Sequence, residues 1–101
     1  MRMIYMSHPY TGEEEKNKAD AREMQESLSM IYPSSCIINP LDTFAGASAG
    51  NDEEYVKILA CCLELLGRCD AIFMCQGWRT STGCKAEYAL AMQREMEVIF
   101  E

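Results

Sequence analysis

Asp70-Ala71-Ile72-Phe73-Met74-Cys75, then Gln76-Gly77-Trp78-Arg79-Thr80, then Ser81-Thr82-Gly83-Cys84-Lys85-Ala86-Glu87-Tyr88-Ala89-Leu90-Ala91 is the stretch whose reading decides the fold. Ala71–Cys75 is apolar throughout, as in a strand covered on both faces. Gln76-Gly77-Trp78-Arg79 reads as the loop after it, punctuated by glycine. Ser81 is a favoured N-cap type, so a helix is expected from about Thr82 to Met96. Val98–Phe100 then supplies a further short strand. Strand, loop, helix and strand in this order make a βαβ unit, which requires a parallel pair.

Working outward, the same alternation recurs. Met1–Met6 is a short apolar strand stopped by Ser7-His8-Pro9. Thr11-Gly12-Glu13-Glu14 has the form of a capping box, with Thr11 as cap. Ala21, Met24, Leu28 and Ile31 then make one apolar stripe on a helix ended by Tyr32-Pro33. Cys36-Ile37-Ile38 is a second strand closed by Asn39-Pro40. Leu41 to Gly50, rich in Gly, Ala and Ser, reads as a mobile loop. Asn51 with Glu54 signals another cap, and Tyr55, Ile58, Leu59, Cys62, Leu65 and Leu66 form a helical stripe ending at Gly67. The order β-α-β-α-β-α-β predicts one α/β domain over residues 1–101, a four-stranded parallel sheet in order 2-1-3-4 with helices on both faces. Ligands of such sheets gather beyond the C-terminal strand ends, where Ser7–Gly12, Asn39–Asp42 and Gln76–Gly83 converge.

Composition narrows the function. The formal net charge of −7 opposes a nucleic-acid polymer, whose binding rests on Lys and Arg neutralising phosphates. A small phosphate ester remains compatible, because a helix N-terminus can hold it locally. No apolar run approaches bilayer length and no signal pattern opens the chain, so a soluble, cytoplasmic protein is expected. The six cysteines include no CxxC pair, and with one histidine they make no usual zinc set. They are expected to be free thiols acting mostly as small buried hydrophobes. GxGxxG does not follow the first strand, so no nicotinamide cofactor is expected, nor any other cofactor.

Each candidate site residue has two readings. Ser81-Thr82-Gly83 opens a helix directly after a strand and loop, which suits an anion, and Gly83 allows close backbone approach. Alternatively, Ser81 only caps its own helix. Glu87, six residues on, is either a partly desolvated catalytic carboxylate or a surface glutamate. Tyr5, Ser7, His8, Tyr10 and Asn39 sit at strand ends, where they line a site or satisfy loop backbone. Trp78 stacks on a planar base or closes the core over the third strand. Asp70 reads as a structural hydrogen-bond acceptor.

Tyr5-Met6-Ser7-His8-Pro9-Tyr10, Asn39-Pro40, Cys69-Asp70-Ala71-Ile72, Gly77-Trp78 and Ser81-x-Gly83-x-x-x-Glu87-Tyr88-x-x-Ala91 occur in this order. Together they resemble the nucleoside 2-deoxyribosyltransferase superfamily, particularly its small bacterial and phage branch. The resemblance implies a flavodoxin-like or Rossmann-like fold and cleavage or transfer at the N-glycosidic bond of deoxynucleosides or their 5′-monophosphates. By the same resemblance, Glu87 is the nucleophile toward the anomeric carbon. Ser81 and Gly83 hold phosphate, Ser7, His8, Pro9 and Tyr10 pack along the substrate, and Asn39, Gly77 and Trp78 complete the binding set. Family enzymes often carry a second carboxylate about two turns before the Asp-Ala strand start, where this chain has Cys62.

Two functions are thus expected to compete: an N-glycosidic enzyme acting through Glu87, and a module of the same fold that binds or senses a nucleotide-like ligand without turnover. With so short a sheet and helices rich in Met and Ala, a homodimer or larger assembly is also expected.

Overall fold

The computed structural model describes residues 1–45 and 51–101. Four strands, β1 (Arg2–Ser7), β2 (Ser35–Ile38), β3 (Ala71–Met74) and β4 (Glu97–Phe100), form one parallel sheet in the order β2-β1-β3-β4. Among the described residues four α-helices, α1 (Glu14–Ile31), α2 (Pro40–Thr43), α3 (Asp52–Leu66) and α4 (Thr82–Gln93), and a 3-10 turn at Trp78–Thr80 lie between them. The expected architecture and strand order are those observed.

Side-chain alternation along the strands divides the core into two layers. Ile4, Met6, Ala71, Phe73 and Cys75 face α1, meeting Ala21, Met24 and Leu28 of its apolar stripe. Tyr5, Ile72 and Met74 face the opposite side, against Leu66 of α3 and Cys84 and Ala91 of α4. Ala71–Cys75 is buried throughout, as its unbroken apolar run requires. Asp70 serves the backbone: its Oδ2 accepts from the Met3 N–H at 2.7 Å. All six cysteines are free thiols, and only Cys75 and Cys84 are fully buried. No helix among the described residues is long and apolar enough to cross a membrane.

Three local expectations are corrected. The capping box does not form: α1 starts at Glu14 behind Glu13, with no side-chain cap. Gly12, at φ +107°, turns the chain away first and leaves Thr11 two residues outside the cap position. The expected loop from Leu41 is helical at its start, since Asn39 caps α2 through its side chain, which accepts from the Leu41 N–H, and Pro40 occupies the first turn. The remainder of that loop, residues 46–50, lies outside the described residues. Helix α4 stops at Gln93 rather than Met96. Glu95 adopts φ +55°, while the Glu95 and Met96 N–H groups donate to Met92 and Ala91 carbonyls at 3.2 and 2.9 Å, a Schellman ending. Nothing in a glutamate announces that ending.

Candidate functional site

The α3/α4 side of β1 carries a polar pair at its C-terminal end, Tyr5 and Ser7, both with no exposed surface. Helix α4 lies over them with the stripe Cys84, Glu87 and Ala91, whose spacing of three and four puts all three on its sheet-facing side. Glu87 is therefore a buried carboxylate, 6% exposed, and not a surface residue. The Tyr5 hydroxyl donates to its Oε2, and the Ser7 hydroxyl donates to its Oε1 at 2.7 Å. Cys62 of α3 packs against the same buried cluster as Tyr5.

Burial pushes the Glu87 carboxyl up from its ordinary range, and the hydrogen bonds from Tyr5 and Ser7 pull it part of the way back. Burial and the neighbouring Glu87 charge push the Tyr5 phenol up, so it remains a proton donor at any ordinary pH. Burial, with Glu87 adding to it, raises the Cys62 thiol to about 11, so this side chain is a neutral thiol at physiological pH. Among the described residues Glu87 has no ion-pair partner; neutral hydroxyls orient it. Each carboxylate oxygen offers two acceptor sites, so one hydroxyl per oxygen leaves others open to a ligand.

Glu87 forms part of the wall of an inner pocket of about 90 Å3, with His8, Tyr10, Tyr55, Cys62, Ser81 and Gly83 also on its walls. An outer cleft of about 600 Å3 shares Tyr10, Thr11, Tyr55, Ser81 and Gly83 with it. The first turns of α1, α3 and α4 all reach that cleft, through Glu14, Asp52 and Thr82. The first N–H groups of a helix have no intrahelical acceptor. Ser81 Oγ accepts from the Cys84 N–H at 3.3 Å, which leaves those of Thr82 and Gly83 for water or a ligand. Ser81 thus caps its helix and lines the cleft at once. A Cβ at Gly83 would lie 3.6 Å from the Tyr55 hydroxyl and 4.0 Å from Leu59, so it would occupy cleft space without straining the backbone.

The other expected residues divide. His8 lines the inner pocket and donates Nδ1–H to the Pro9 carbonyl at 2.7 Å, which turns Nε2 to the remaining hydrogen bond. Pro9 and Tyr10 wall the outer cleft, and Asn17 pins this loop by donating to the Tyr10 carbonyl at 2.8 Å. Asn39 is buried and occupied elsewhere, capping α2 and donating to Gln25 Oε1 at 3.2 Å. Gly77 and Trp78 do not join Glu87. Trp78 packs on Tyr88 at 4.7 Å and Phe100 at 6.0 Å, with the Arg79 guanidinium 4.9 Å above its ring, beside a separate depression. It closes the core over β3, one of its two sequence readings. Conversely, Tyr55, Ile58, Leu59 and Cys62, read as a core stripe, line the inner pocket. Tyr55 was the available signal, because a phenol on an apolar stripe needs a polar outlet for its hydroxyl.

Compared with known families, residues 2–100 match the model described as Domain of unknown function (DUF4406), and the chain belongs to that family. No curated protein matches the chain significantly.

Proposed function

We propose that this DUF4406 domain binds a deoxynucleoside or its 5′-monophosphate and breaks the N-glycosidic bond with Glu87 as nucleophile. The observation that carries the reading is a buried carboxylate on a pocket wall, both oxygens held by the Tyr5 and Ser7 hydroxyls. Glu87 Oε attacks the anomeric carbon, the bond to the base nitrogen breaks, and the base leaves with the bonding electrons. The base is protonated as it departs, with the Tyr55 hydroxyl as a wall group that carries a proton to deliver. Water then attacks the same carbon and gives a proton back to the group that protonated the base, releasing the sugar and regenerating the carboxylate, a retaining sequence.

Helix geometry matches this assignment. Six residues at 1.5 Å each put Glu87 about 9 Å along α4 from Ser81, and its side chain leans back toward the N-terminus. A sugar carrying a 5′-phosphate spans that gap, with the anion at the Thr82 and Gly83 N–H groups. Glu14 and Asp52 on the outer cleft oppose a phosphate, whereas the converging helix N-termini favour one. Assaying each deoxynucleoside beside its monophosphate resolves that balance.

A second reading rests on Cys62. A neutral thiol stands where enzymes of the superfamily that the sequence resembles often carry a second acid, and among the described residues Glu87 is the one carboxylate on the inner pocket wall. That favours a binding module without turnover. Incubation with the substrate panel, followed by chromatography for free base, separates the two. Base release that disappears in Glu87→Gln supports the enzyme; nucleotide binding with no release from any substrate supports the module.

A further inference from the structure

Helix α3 has a second face that the pocket does not use. Tyr55, Ile58, Leu59 and Cys62 look into the pocket. About half a turn away, at roughly 100° per residue, lie Glu53, Lys57, Ala60, Cys61 and Glu64, with Arg68 just beyond the helix end. All six are exposed. Beside Ala60 and Cys61, Phe44 and Leu65 border a shallow depression of about 450 Å3.

The charge pattern of this stripe is complementary to its own reverse. Lys57 and Glu64 are equidistant from the midpoint between Ala60 and Cys61, and so are Glu53 and Arg68. Each such pair is of opposite sign. Two antiparallel copies of α3, related by a two-fold axis at that midpoint, set Lys57 against the partner's Glu64 and Glu53 against the partner's Arg68. Only small side chains, Ala60 and Cys61, fall at the axis, which permits close approach of the helices. The internal Glu64–Arg68 contact at 3.4 Å is between exposed groups, so it does not compete strongly with pairing across the axis.

We propose that α3 is the interface of an isologous two-fold dimer of this chain, antiparallel across Ala60 and Cys61. The 15-residue helix gives a contact about 22 Å long, which with Phe44 and Leu65 makes an interface of small size and micromolar affinity. Because the opposite face of the same helix walls the pocket, the two pockets lie on the outer sides of the dimer. The inference does not depend on what the pocket binds.

Sedimentation velocity across the micromolar range tests it, with circular dichroism confirming that each variant is folded. Wild type is expected to move from monomer to dimer as concentration rises. Lys57→Glu, which sets two like-charged pairs across the axis, should raise the dissociation constant by about tenfold or more. Adding Glu64→Lys to it should restore association. A bis-maleimide should cross-link wild type through Cys61 and fail with Cys61→Ser. A monomer at every concentration, a dimer indifferent to Lys57→Glu, or a double variant that does not recover would each overturn the proposal.

Discussion

Tyr5→Phe isolates the interaction on which the pocket is built. The ring is wholly buried among Leu66, Ile72 and Met74, and phenylalanine keeps its shape, so no large cavity opens. What disappears is one hydroxyl, donated to Glu87 Oε2. A hydrogen bond to an ionised group contributes about 1.5–3 kcal/mol and one between neutral groups about 1 kcal/mol. The loss should therefore grow with pH. Glu87 already titrates above its ordinary range because of burial, and of the two hydrogen bonds that hold it down, that from Tyr5 has the larger effect. For a carboxyl raised on folding, the native state holds its proton where the unfolded state has released it. Stability is complete below the unfolded value and falls as pH rises through the folded one. Removing the Tyr5 hydroxyl extends that fall to higher pH. Thermal denaturation over a pH series should show a deficit of about 1 kcal/mol on the acid side of the Glu87 titration. On the alkaline side it should reach about 2–3 kcal/mol, at roughly 4–8 °C per kcal/mol. A deficit independent of pH would refute the argument, because the hydroxyl would then not be holding a charge.

Phosphate or sulfate should raise the melting temperature with the logarithm of its concentration if the α4 N-terminus holds an anion. Gly83→Val, which covers those N–H groups, should remove the shift, and a shift that persists places the anion elsewhere. Glu95→Gly should stabilise the fold by about 0.5–1 kcal/mol, because Glu95 occupies the left-handed Schellman position at φ +55°; an unchanged melting temperature would contradict this. Thiol titration of freshly purified, reductant-free protein should find six free groups after denaturation, with Cys75 and Cys84 reacting slowly in the native state. Four or fewer would indicate disulfides that the fold does not contain.

The sheet was legible because its signals are local and redundant. Ala71–Cys75 was the clearest strand, and Asn51 with Glu54 announced α3, whose cap forms as read, with the Glu54 N–H donating to Asn51 Oδ1 at 2.9 Å. Thr11 misled because a capping box assumes continuous backbone geometry, and Gly12 breaks it. The helix at Pro40 was hidden by its shortness, although Asn39 followed by proline is a helix-start pair. Glu87 was half legible. Its immediate neighbours leave its burial open, while the spacing to Cys84 and Ala91 puts it on the buried side. Its partners Tyr5 and Ser7 are 82 and 80 residues away, and only the register of β1 beside β3 under α4 brings them together. Tyr55 apart, the α3 wall was not legible as a wall, since apolar residues facing a pocket and facing a core share one periodicity.

Whether Glu87 becomes covalently joined to a sugar tests the central claim most directly. Rapid acid quench of wild type mixed with the best substrate of the panel, followed by intact-mass and peptide analysis, reads this out. The account predicts a mass gain of one deoxyribosyl or deoxyribosyl-phosphate unit, localised to the α4 peptide carrying Glu87 and absent from Glu87→Gln. Base release by wild type with full turnover retained in Glu87→Gln, or an adduct on a different residue, would contradict it.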